Sequence, residues 1–260
     1  TDLLTLTGRL PHVMDTAPQQ LLACYGQNIP QAELVNGTVH NYLYGAYSGK
    51  AVVIANLVPA LTTGMAVSAL PAVAESFARG NRLRTQKSIQ MVLRITALFC
   101  VPAGLGVSDL SQEVCSLFFG VHTEVMIGAP LLRVLGLASI FIALTGTTNS
   151  LLQAVGRVSL PVKLILIGSA IKLAMNYLLV GIPQLNIQAA PLSTLVCYVV
   201  ITLLSLIALR STVGPLGAFG VFGKPLLAGL LCAALARLTQ NMHMQVTASR
   251  LVVLLSAAVG

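Results

Sequence analysis

The chain has 260 residues, of which 56% are hydrophobic and only 8% charged, with a net charge of +8. A soluble domain carries about 25% charged residues, so this composition cannot cover a water-facing globule and excludes an ordinary soluble enzyme or binding module. The positive balance does not point to nucleic acid, because the basic residues lie in short loops between apolar runs, stacking aromatics are few and there is no Trp.

Taken in order, the chain opens with Thr1–Leu10, which reads as the end of a membrane helix, followed by an outer loop over 11–41. A spanning helix needs about 20 mostly apolar residues. Residues 51–74 carry no charge, and the run extends back to Tyr42 with only Lys50 interrupting. Further runs cover about Ser88–Ser108, Val125–Gly156, Leu160–Val180 and Ile187–Leu209, with a shorter one from Pro225 to Gln240. They are continuously apolar, without the alternation of barrel strands, so they predict helices that satisfy their own backbone in lipid. The expected organisation is a five-helix bundle over 42–210 and a truncated helix pair over 211–260. With no initiating Met and no signal peptide, the chain reads as a fragment cut within a helix at both ends.

Orientation follows from Lys and Arg in the short loops. The loops 75–88, 156–163 and 210–224 hold Arg79, Arg82, Arg84, Lys87, Arg157, Lys163, Arg210 and Lys224; the opposite loops hold only Arg250. The first set is therefore cytoplasmic. Tyr42, Tyr44 and Tyr47 suit an outer aromatic belt. Pro59, Pro71, Pro102 and Pro191 remove backbone donors and predict kinks. Gly45 with Gly49, and Gly64 with Ser68, have the spacing that lets helices approach closely.

Cys100, Cys197 and Cys232 sit inside apolar runs as small hydrophobes, while Cys24 and Cys115 fall in expected loops where a disulfide is possible but not favoured. No metal-protease, nucleophile-elbow or phosphate-loop motif appears, so no enzyme, cofactor or metal site is expected. The four His fall in outer loops or at helix ends and read as solvated surface.

The unusual residues are ionisable ones at membrane depth, which cost about 2.5–3.5 kcal/mol at a helix centre and usually face a wet cavity. Lys172 is the clearest, nine residues from Lys163 and nine from Gly181, with Asn176 one turn further on the same face. Arg133 and Lys50 each lie about two turns inside a span, where snorkelling competes with a cavity role. Asp2 is the one acid in an expected span. Basic residues with so little acidic company predict a cavity that attracts anions, such as a phosphate-bearing headgroup.

The stretches "YGAYSGKAVVIANLVPALTTGMAVSALPAVAES" (44–76), "SLLQAVGRVSLPVK" (150–163) and "IQAAPLSTLVCYVV" (187–200), with Lys172 and Asn176, resemble stage V sporulation protein B-like and MurJ-like flippases. These belong to the multidrug/oligosaccharidyl-lipid/polysaccharide exporter superfamily. The resemblance implies an all-α polytopic bundle, the second lobe of a two-lobe, fourteen-helix flippase plus two terminal helices. It implies transport of a lipid-linked glycan across the bacterial cytoplasmic membrane by alternating access, with membrane lipids and a coupling ion as further partners. It places Lys50 near a basic residue of that family's eighth helix. Gln188 and Pro191 depart from the family's pattern at the start of the twelfth helix. An ion-coupled drug exporter would want intramembrane acids, where only Asp2 qualifies. A non-transporting assembly factor would bury Lys172 against a partner helix.

Overall fold

The computed structural model describes residues 29, 38–119, 122–180, 186–217 and 220–237. Among them the regular elements are helical, and six helical stretches are long and apolar enough to cross a membrane: Val39–Ala78, Arg82–Asp109, Val125–Ala154, Ser159–Leu179, Ala189–Val213 and Gly220–Arg237. The chain is an all-α polytopic bundle.

The first stretch is not one continuous α-helix. It runs as α1 (Val39–Gly45), a six-residue π-helical turn (Ala46–Ala51), α2 (Val52–Ala55) and α3 (Leu57–Ala78). The interruption at Asn56 has a cause in the sequence. Pro59 has no N–H to give the carbonyl of Ala55, so the α ladder cannot continue through that turn. Pro191, by contrast, lies in the first turn of its helix, where a missing donor costs nothing, so the kink expected there has no basis. α3 ends at Arg79, and Gly80 turns the chain with φ +70. Asn81 then caps α4 (Arg82–Asp109) through a bond from the Arg84 N–H.

One short element corrects the sequence reading. α5 (Ser111–Phe119) stands where a loop over 109–124 was expected, and Cys115 lies buried in it as a free thiol. Cys24, its conceivable partner, lies outside the described residues. α6 (His122–Ala154), α7 (Ser159–Val180) and α8 (Ala189–Val213) follow, and α9 covers Gly220–Arg237.

α6 is the hub, packing against α3, α4, α5 and α8, while α7 leans mainly on α8. Close approach occurs where glycines meet. A Cβ on Gly136 would lie 2.7 Å from the Ser108 nitrogen, and one on Gly104 would lie 2.8 Å from the Gly136 carbonyl oxygen. The glycines singled out by spacing behave differently: a Cβ at Gly45, Gly49 or Gly64 meets nothing among the described residues within 4 Å. Threonines stitch the hub. Thr96 bonds Thr147 at 3.2 Å, and Thr145 bonds Thr202 at 2.9 Å. Such pairs satisfy hydroxyls that have no water to turn to in lipid. Leu61, Phe99, Leu166, Leu178 and Leu231 are exposed, as a lipid-facing surface requires.

Candidate functional site

The expected site residues distribute over three spans. Lys50 lies in the π-helical turn, and its Nζ stands 5.3 Å from the ring centroid of Phe119, at the end of α5. This is a cation–π contact, which eases the placing of an ammonium group near apolar surroundings. π turns inside longer helices recur at functional sites, and Lys50 is the one charged residue in this one. Sequence reading found Lys50 but not the turn that carries it.

Lys172 is half-buried on α7. Asn176, one turn further out, is fully buried and accepts a hydrogen bond from the Ser193 hydroxyl on α8. Its amide therefore serves the α7–α8 contact and does not extend an open polar stripe. The neighbouring Thr194 meets Tyr47 of the π turn, hydroxyl to hydroxyl at 3.5 Å. Tyr47 is thus a buried residue and not part of an aromatic belt.

These contacts fix relative depth. The first span runs towards the 75–88 loop and Lys50 follows Tyr47 by three residues. α7 runs away from the 156–163 loop and Lys172 precedes Asn176 by four. Both lysines therefore lie about one helical turn from the same Ser193–Thr194 pair, on the side of the basic loops. Among the described residues, the carboxylates within the six spans are Glu75 and Asp109, at the C-terminal ends of their helices. Glu75 pairs with Arg79 at 2.6 Å and Asp109 with Arg237 at 2.5 Å.

Arg133 stands apart from this pair. It is exposed on α6 and lines a hollow of about 310 Å³ with Ser111, Gln112, Val125, Met126, Ala129 and Pro130. Its backbone carbonyl accepts from Ser108 at 2.8 Å, which ties this level of α6 to the end of α4. Asp2 lies outside the described residues.

The sequence reading missed two polar atoms. Among the described residues, Asn149 Oδ1 and Ser205 Oγ are buried with no hydrogen-bond partner. They follow the bonded Thr145 and Thr202 by four and three residues, about one turn further along α6 and α8. The signal was available as polar residues inside apolar runs, but so many Ser and Thr share it that it selects nothing.

Comparison with known proteins bears on the family. A family model described as lipid II flippase MurJ matches residues 20–256. A curated lipid II flippase MurJ from Bacillus subtilis (strain 168) is 27% identical over 157 residues, covering 59% of this chain and 28% of that protein. The chain thus aligns with under a third of its relative's length. No solved structure matches.

Proposed function

This chain belongs to the lipid II flippase MurJ family, and from that premise we propose that it forms part of a flippase for a lipid-linked oligosaccharide. The cargo is lipid II-like, with an anionic pyrophosphate headgroup, and moves by alternating access across the bacterial cytoplasmic membrane for cell-wall or polysaccharide synthesis. The full activity belongs to the longer protein.

The observation that carries this reading is the shared depth of Lys50 and Lys172 about the Ser193–Thr194 pair. Two ammonium groups at one level, on two spans that both meet α8, raise the local positive potential and attract a diphosphate. Arg133, nearer the outer surface, gives the headgroup a further cation on its way out. A cationic drug would be repelled by the same arrangement.

The test is complementation by the full-length protein in cells depleted of their lipid II flippase. Wild type should restore growth, Lys50→Ala and Lys172→Ala should weaken rescue, and Lys172→Glu should abolish it. Equal rescue by wild type and Lys172→Glu removes Lys172 from headgroup binding. Failure of wild type to rescue moves the cargo to another lipid-linked glycan.

A further inference from the structure

The start of α4 carries cations that the transport reading leaves unused. Arg79 is spent on Glu75. Arg84 and Lys87 are exposed, and among the described residues neither meets a carboxylate. Between them opens a hollow of about 360 Å³, lined by Asn81, Leu83, Arg84, Lys87, Ser88 and Met91.

The lining is divided by chemistry. Leu83, Lys87 and Met91 follow one another at four-residue spacing and form one stripe of the helix, with Arg84 and Ser88 beside it. Leu83 is 72% exposed and Met91 63%. An amide, a hydroxyl and two cations therefore share a hollow with two bare apolar side chains.

Depth explains the combination. Asp109, held by Arg237, marks the outer end of α4. At 1.5 Å per residue, Met91 lies about 27 Å below it, Lys87 about 33 Å and Arg84 about 38 Å. The hydrocarbon core is about 30 Å thick. Met91 therefore reaches acyl chains, Lys87 stands at their boundary, and Arg84 lies in the headgroup layer, where lipid phosphates are found.

We propose that this hollow binds one anionic glycerophospholipid of the cytoplasmic leaflet. The phosphodiester sits between Arg84 and Lys87, with the planar guanidinium offering paired donors and the ammonium a compact charge. Asn81 and Ser88 serve the glycerol oxygens, and the first acyl carbons lie along Met91. A choline headgroup would bring a third cation to a site that already holds two.

The test titrates purified full-length protein in neutral detergent with short-chain phosphatidylglycerol, phosphatidylcholine and inorganic phosphate, following heat and bound-lipid mass. Wild type should take up one phosphatidylglycerol saturably, and both other probes should bind about tenfold more weakly or worse. Arg84→Gln with Lys87→Gln should weaken phosphatidylglycerol by about tenfold or more, while Arg157→Gln with Lys224→Gln, the same charge loss in the α6–α7 turn and at the start of α9, should leave it within about twofold. Equal losses in the two pairs would mean diffuse attraction and overturn the site. Equal binding of phosphatidylcholine would do the same, and phosphate matching phosphatidylglycerol would make it a free-anion site. Should the first pair fail to fold, Leu83→Gln with Met91→Gln decides the matter. It keeps both cations and must weaken the lipid but not phosphate. These readouts do not involve transport, so they stand or fall separately from complementation.

Discussion

The Ser193 hydroxyl donates to Asn176 Oδ1, joining α8 to α7 at the level where Tyr47 of the first span also arrives. Both partners are fully buried. Ser193→Ala leaves the amide oxygen without this donor in a dry interface, which should cost about 1 kcal/mol. A double-mutant cycle with Asn176→Ala, read by thermal unfolding in detergent, should return a coupling of about 0.6–1.7 kcal/mol. Additive losses would mean that the two side chains do not bond.

The α4–α6 contact makes a sharper demand. At Gly136 an added Cβ meets backbone atoms of Ser108, at 2.7 and 2.9 Å, and at Gly104 it meets the Gly136 carbonyl oxygen at 2.8 Å as well as the Ile140 side chain. A side chain can turn away and a backbone cannot. Gly136→Ala and Gly104→Ala should therefore each destabilise by about 1–3 kcal/mol. Gly146→Ala, whose Cβ would lie 3.6 Å from Thr63, should be tolerated. Denaturation midpoints of the three variants check the order.

Cys115 reports on Lys50. Burial holds its thiol above the ordinary value of 9.0, and the nearby Lys50 charge pulls it partly back. Folding thus favours the protonated thiol. Its contribution to stability is complete below pH 9.0 and is lost as pH rises above that, because the unfolded chain releases the proton first. Lys50→Gln should push the thiol higher still. The pH profile of alkylation in a variant retaining only Cys115 should move to the alkaline side, and a profile that stays in place would contradict the proximity of the two groups.

Arg237 closes the C-terminal end of α9 onto Asp109, whose side chain is only 14% exposed. Asp109→Asn should weaken this attachment by about 1 kcal/mol, with less effect in high salt. The exchanged pair Asp109→Arg with Arg237→Asp should recover part of the loss. Cross-linking yield between cysteines placed at the outer ends of α4 and α9 provides the measurement.

What the sequence determined by itself is the membrane architecture. The spans follow from lengths of uninterrupted apolar residues, because lipid offers nothing else for them to face. Lys50, Lys172 and Arg133 were also visible, since a charge inside such a run needs a reason. What only the tertiary structure decided is which small and polar residues meet. Gly45, Gly49 and Gly64 have the spacing for close packing yet face open space, while Gly104 and Gly136, far apart in sequence, bring two backbones together. Asn176 reads as an open polar position until Ser193 is seen beside it. The π turn at Lys50 belongs to the same class. Spacing along one helix states what a face could do, but the contact depends on the rotation and height of a second helix, which no local pattern encodes.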